Sequence, residues 1–151
     1  MNIRTMTYDD YDEVYSLWLN TPGMGINTYD DSREGICRYL ARNPETCFVA
    51  EKDGKIIGVI LSGHDGRRGF IHHTAVDGRA QRLGLGSALV DTALSALGRE
   101  GIKKVALVCY RENDRGNAFW EKQGFTVRED LFYRNKEMVE LVYVNTGDVS
   151  V

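Results

Sequence analysis

The run Gln81-Arg82-Leu83-Gly84-Leu85-Gly86, followed by Ser87 and preceded by Arg79, combines cationic side chains with two glycines. Apolar spacing from Leu85 to Leu97 predicts a helix that begins inside this run, with Gly101 just beyond it. A helix start leaves backbone N–H groups without intrahelical partners and carries partial positive charge. Glycine removes the side chains that would keep a pyrophosphate away from those groups. Arg79 and Arg82 add charge-assisted hydrogen bonds of ~1.5–3 kcal/mol each, and Ser87 can donate one more. The run is not a dinucleotide fingerprint, because G-x-G-x-x-G is absent, nor a P-loop, because no G-K-[ST] follows the glycines. Upstream, His72 and His73 adjoin in a strand candidate, Phe70 to Val76, and imidazole titrates near neutral pH. Strand alternation puts Phe70, His72, Thr74 and Val76 on one side and Ile71, His73 and Ala75 on the other.

These groups need a scaffold, and the rest of the chain supplies the signals for one. Ile3 to Met6 is a short strand candidate. Thr7 with Asp10 forms a capping-box-like start for a helix whose stripe is Tyr11, Val14, Tyr15, Trp18 and Leu19. Ser32 caps a second helix with Ile36, Tyr39 and Leu40, which Pro44 ends. Cys47–Glu51 and Ile56–Leu61 meet through Asp53-Gly54, a strong hairpin signal, and Asp65 to Gly69 turns into the histidine strand. Val105–Cys109 reads as a buried strand, Gly116–Lys122 as a helix ended by Gly124, and Thr126–Phe132 and Met138–Val144 as two closing strands. The order β-α-α-β-β-β-α-β-α-β-β implies an α/β (α+β) fold, a mixed sheet of six to seven strands with helices on its faces.

At 151 residues the chain is read as one domain, 1–145, with a polar tail, 146–151. A net charge of −3 gives no general attraction to nucleic acid or anionic lipid, so neither is expected as a partner. No segment has the length and apolarity of a signal peptide or membrane span. Cys37, Cys47 and Cys109 are an odd number without metal-site spacing. Reduced thiols, no metal and a cytoplasmic location are therefore expected.

The Gln81–Gly86 run resembles the acetyl-CoA signature of the GNAT acetyltransferase superfamily, [Q/R]-x-x-G-x-[G/A], with Gln81, Gly84 and Gly86 in the defining places. Asn113-Asp114-Arg115-Gly116-Asn117-Ala118-Phe119-Trp120-Glu121-Lys122-Gln123-Gly124-Phe125 is similar to the family's downstream segment, without a gap. The resemblance implies a GNAT fold with acetyl-CoA as cosubstrate. Pantetheine would pair with backbone of Thr74, Ala75 and Val76, while Gln81, Arg82, Leu83, Gly84, Leu85, Gly86 and Ser87 would hold the pyrophosphate. Asn113, Asn117, Phe119 and Trp120 would approach from the other side, with Phe119 equally suited to a core anchor.

By the same resemblance, the catalytic group on the histidine strand falls on His72, as in arylalkylamine N-acetyltransferases. A strand bulge would reverse that parity in favour of His73. The bland alternative is a structural histidine pair. Trp120 stands where the family commonly has tyrosine, and indole cannot supply a proton at neutral pH. Either the thiolate leaves without a protein acid, or Tyr110 or Tyr133 substitutes. Val108 occupies the position at which ribosomal-protein alanine acetyltransferases carry glutamate, which argues against that mechanism. The loop 21–29 and the turn 63–69 would border the acceptor, with Met24, Ile26, Tyr29, His64 and Asp65 as contacts. The expected activity is direct acetyl transfer to a primary amine of a small molecule or peptide in a ternary complex. A non-catalytic acyl-CoA sensor, or a structural subunit such as a homodimer joined at an open sheet edge, is the alternative.

Overall fold

A computed structural model describes residues 1–147. Strand β1 (Asn2–Thr5) leads through a 3₁₀ turn into helix α1 (Tyr11–Leu19). Asp10 accepts from the Thr7 backbone N–H at 2.8 Å, and Arg4 clamps the same carboxylate at 2.8 and 2.9 Å. The buried stripe of α1 is Tyr11, Val14, Leu17 and Trp18. Leu17, three residues on from Val14, thus takes the inward place expected of Leu19, which is the last residue of the helix and is exposed.

Strand β2 is only Ile26–Asn27, and α2 (Arg33–Arg42) follows with the Ser32 hydroxyl accepting from Gly35 N–H at 3.0 Å. Strands β3 (Phe48–Lys52) and β4 (Lys55–His64) join at Asp53 and Gly54, whose φ values of 52° and 75° are those of a two-residue type I′ turn. Strand β5 (Gly69–Val76), helix α3 (Leu85–Arg99), strand β6 (Val105–Leu107), helix α4 (Asp114–Lys122) and strand β7 (Tyr143–Val144) complete the order.

The main sheet runs β1-β3-β4-β5-β6, antiparallel except for the parallel β5–β6 pair that α3 crosses over. One core, under α1 and α2, holds Val14, Trp18, Ile36, Val49, Val59 and Ala75. The other, under α3, holds Ile60, Ile71, Leu85, Leu89 and Ala93. Gly58 allows the close approach of α3, since a Cβ there would lie 3.0 Å from Leu89 and 3.2 Å from Leu85.

The mixed α/β architecture with helices on both faces is as the sequence implies, but the strands divide differently. Five form one sheet, and β2 with β7 makes a separate two-stranded ribbon. The stretch 126–132 forms no ladder, and of 138–144 only Tyr143–Val144 does. Alternation supplies a face but not a partner. Phe132 and Met138, each 89% exposed, contact no core. Strand β6 is half-buried and three residues long, shorter and more open than its apolar run suggested. The 21–28 loop is tied by the C-terminal segment: Thr28 N–H donates to Val142 O at 2.9 Å, and Met24 N–H to Thr146 Oγ1 at 3.1 Å. Among the described residues no helix is long and apolar enough to cross a membrane.

Candidate active site

The register of β5 decides what faces the cleft. Ile60 pairs with Thr74 and Ser62 with Ile71, so Leu61 alone opposes both His72 and His73. This is a bulge, and it reverses the alternation expected along the strand. Ile71 packs under α3, whereas Ala75 packs under α1 and α2. An unbroken strand would put both on one side. Consequently His72 and His73 line the same cleft, together with Phe70, while Val76 belongs to the α3 side.

The two imidazoles sit in different surroundings. His72 lies between Phe70 (ring centroids 4.6 Å apart) and Tyr39 (5.5 Å), crowded by these neighbours yet exposed on its outer side to the open cleft. Burial, reinforced by the neighbouring His73, pushes its pKa down from 6.5 to about 4, so the ring is uncharged at neutral pH. His73 places Nε2 2.7 Å from Oδ1 of Asp31. A carboxylate can only accept, so the proton on that nitrogen is fixed by its partner. Asp31 is itself buried, accepting from Asn27 N–H at 2.9 Å, and Trp18 meets the His73 ring edge-on at 5.0 Å. Asn27 also shapes the loop ahead of α2, its Oδ1 accepting from Tyr29 N–H (3.0 Å) and Asp30 N–H (2.7 Å).

Strand β6 pairs only with Gly69–Ile71, leaving the β5 backbone from His72 to Val76 without a neighbour on that side. Thr74, Ala75 and Val76 therefore offer backbone groups along an open edge. Beyond it, α3 begins at Gly84 (φ 76°), and its first bond runs from Ala88 N–H to Gly84 O at 3.0 Å. Helix geometry leaves the amides of Leu85, Gly86 and Ser87 outside that ladder. Arg82 also has left-handed backbone (φ 69°), and Leu83 is exposed beside it. Gln81 spans from Val76 O (3.3 Å) to Arg115 (3.0 Å), and the Ser87 hydroxyl accepts from Gln123 at 2.8 Å, which leaves its proton to donate. The geometry suits a pyrophosphate at the helix start with an extended chain lying along β5.

Gly86 has a second neighbour. A Cβ there would lie 3.1 Å from the Phe119 ring, so Phe119 packs α4 against α3 and does not line the cleft. Asn113 caps α4, accepting from Gly116 N–H at 2.9 Å, and Asn117 donates to Tyr110 O and Asn113 O, both at 2.9 Å. Trp120 lines the cleft, steadied by Phe119 at 5.0 Å and Phe125 at 5.4 Å.

The cleft is open, about 1060 Å³, and Met24, Tyr29, Tyr110 and Tyr133 reach it. The Tyr110 hydroxyl lies against the bare α-carbon of Gly25, within 3.1 Å of where a Cβ would stand. Three expected acceptor contacts fall elsewhere. Ile26 is wholly buried in the α1/α2 core, because the ribbon with β7 turns its side chain inward. His64, at the far end of β4, accepts from Gly66 N–H at 2.9 Å and pairs with Glu100 at 3.1 Å, and Asp65 folds its carboxylate onto the same turn. Tyr39, Asn27, Asp31, Arg38 and Arg42 do line the cleft without having been singled out in the sequence. Only Asn27 carried a legible signal, the asparagine-led turn before a capped helix. The three cysteines are unpaired, and burial pushes the Cys47 thiol up to about 12.

Comparison with known proteins agrees with this geometry. The model of the Acetyltransferase (GNAT) family matches residues 9–125. An acetyltransferase of Photorhabdus laumondii is 30% identical over 149 residues, covering 95% of this chain and 100% of that protein. The PaiA N-acetyltransferase of Thermoplasma acidophilum, solved in complex with coenzyme A, shares the fold at a TM-score of 0.74 and 19% identity, covering 85% of this chain and 91% of its own. An aminoglycoside acetyltransferase from an uncultured soil metagenomic sample, solved with sisomicin, does so at 0.68 and 19%, covering 91% and 96%. With a free helix start beside an open strand edge, and a family match across both of its sequence motifs, the chain belongs to the GNAT family of acetyltransferases.

Proposed function

We propose that the chain transfers an acetyl group from acetyl-CoA to a primary amine of a small molecule or peptide, by direct attack in a ternary complex. Acetyl-CoA supplies the thioester. The β5 bulge brings His73 onto the cleft as well, but its Nε2 is committed to Asp31. The carrying observation is that the His72 ring, with no hydrogen-bond partner among the described residues, faces the cleft at the start of the open β5 edge. Backbone at Thr74–Val76 holds the extended arm of the cosubstrate, and the amides at Leu85–Ser87 with Arg82 hold its pyrophosphate. Trp120 walls the thioester end.

As the amine nitrogen bonds to the carbonyl carbon, the C–S bond breaks and a proton must leave nitrogen. His72, kept uncharged, takes that proton. Nitrogen bonded to the acyl carbon is far more acidic than free ammonium, so a weak base suffices. Tyr110, which lines the same cleft, gives its phenolic proton to the departing thiolate and regains one through solvent as His72 releases its own. The Asp31–His73 pair holds the adjoining side chain in one orientation.

Thiol release from acetyl-CoA with a panel of amines tests the reading. His72→Ala should lower kcat by ~10²–10⁴-fold at neutral pH, the usual worth of a general base, while CoA binding holds. Equal loss of both would remove the base assignment. Tight CoA binding with no turnover on any amine would mark the protein as a sensor instead. The open outer edge of β6 and the exposed apolar 131–143 stretch further favour a homodimer.

A further inference from the structure

Two arginines on α2, Arg38 and Arg42, line the acceptor half of the cleft. They stand one helical turn apart, so their side chains neighbour each other, roughly 5–6 Å between Cβ atoms. Among the described residues neither is in an ion pair, whereas Arg4, Arg33, Arg79 and Arg128 each close on a carboxylate. Like charges at this spacing cost a helix ~0.2–0.5 kcal/mol, a cost an intervening anion reverses. Of the acids on the cleft, Asp31 is engaged by His73 and the Asn27 N–H, and Asp30 by the Asn27 amide at 3.0 Å, while Glu34, one turn before Arg38 on α2, closes on neither arginine. The one aromatic partner is the Tyr29 ring, 6.0 Å from the Arg38 guanidinium carbon, which orients that group and leaves its N–H donors free.

Resting on the acetyl-transfer reading above, we propose that Arg38 and Arg42 form an anion subsite and that the acceptor is an amine bearing a carboxylate or phosphate. The ring of Tyr39, next to Arg38 in the chain, is 5.5 Å from that of His72. His72 and both arginines line this one cleft, so a single acceptor can present its amine to the histidine and its anion to the guanidinium groups. A forked guanidinium suits either anion, since both accept paired N–H bonds. With Asp30 and Asp31 already held by Asn27 and His73, the two arginines disfavour polycationic acceptors of the sisomicin kind at this end of the cleft.

The test uses the full chain with acetyl-CoA and primary amines matched in length: an ω-amino carboxylate, an aminoalkyl phosphate, an uncharged alkylamine and a diamine. The anionic amines should have kcat/KM at least tenfold above the uncharged one, and the diamine should be poorest. In the double variant R38Q/R42Q that ratio should collapse toward one, through KM. The carboxylate and phosphate arms identify which anion is preferred. Wild-type protein that favours uncharged or dicationic amines, or a double variant that keeps the wild-type ratio, overturns the subsite while acetyl transfer stands. Should no amine turn over, the acetyl-transfer reading itself fails. Calorimetric binding of the same amines with CoA present then reads the arginines independently, and equal affinity in both proteins overturns the subsite. A change confined to thermal stability would likewise overturn it, leaving Arg42 only its contribution to the C-terminal end of the helix.

Discussion

Arg82 is the residue at which stability and ligand binding pull in opposite directions. Its left-handed backbone costs about 1–2 kcal/mol in a residue with a Cβ, yet its position at the α3 start is where an anion gains most from a guanidinium. Arg82→Gly should therefore leave the melting temperature within a few degrees, since relief of strain offsets the added chain entropy. CoA affinity should fall by about 10–100-fold, the worth of a charged hydrogen bond, and calorimetry against coenzyme A measures it. Unchanged affinity would detach this loop from the pyrophosphate. His72 makes a second residue-scale prediction. Its folded pKa, near 4, lies below the ordinary 6.5, so the unfolded chain takes up the proton first as pH falls. Stability should decline from about pH 6.5 toward pH 4 on this account, and His72→Gln should flatten that part of a urea-denaturation pH series. An unaltered slope would show that water in the cleft already solvates the ring.

At the scale of elements, the loop 27–31 and α2 act as one piece, because Gly35 lets them touch. A Cβ at Gly35 would stand 2.2 Å from the Asp30 carbonyl oxygen and 2.6 Å from that of Tyr29. Gly35→Ala must push the loop off the helix, at a cost of about 1–3 kcal/mol of overpacking, and carry Asp31 away from His73. A lower melting temperature together with a raised amine KM and little change in CoA binding is the expected outcome. A variant with wild-type KM would uncouple the loop from the acceptor. Much at this scale was legible in the sequence for local reasons. Asp53-Gly54 dictates its own turn, Ser32 its own cap, and Leu85 to Leu97 its own stripe. The bulge at His72–His73 was not legible, because register is a property of two strands and depends on how Leu61 meets them both. For the same reason the 126–132 stretch alternates like a strand and pairs with nothing. His64 looked like an acceptor contact from its place in the turn 63–69, but β4 runs on to include it, and a strand's length decides which end of the molecule its last residue reaches.

The whole molecule is asymmetric in its order. Residues up to about 107 enclose two apolar cores, whereas α4 has no fully buried residue and the chain after it is largely exposed. Leu131, Phe132, Tyr133, Met138, Val139, Val142 and Tyr143 are all more than half exposed and fall within thirteen positions. So dense an exposed apolar stretch, in a molecule whose main sheet also ends at an unpaired β6 edge, is what a second copy would cover. Sedimentation or light scattering should give twice the chain mass at micromolar concentration, and Phe132→Asp should shift it toward the monomer. A wild-type monomer under those conditions would end the homodimer proposal.

The gap between β5 and β6 gives the protein a seam. Only three residue pairs stitch β6, which carries α4 behind it, to the rest of the main sheet. An extended ligand seated there would serve as a basting thread, joining two halves that otherwise share little backbone. On that view the cosubstrate brings more than an acyl group. By arriving first it would tension the wall against which the second substrate is fitted, and by leaving it would let the cleft slacken and shed its product.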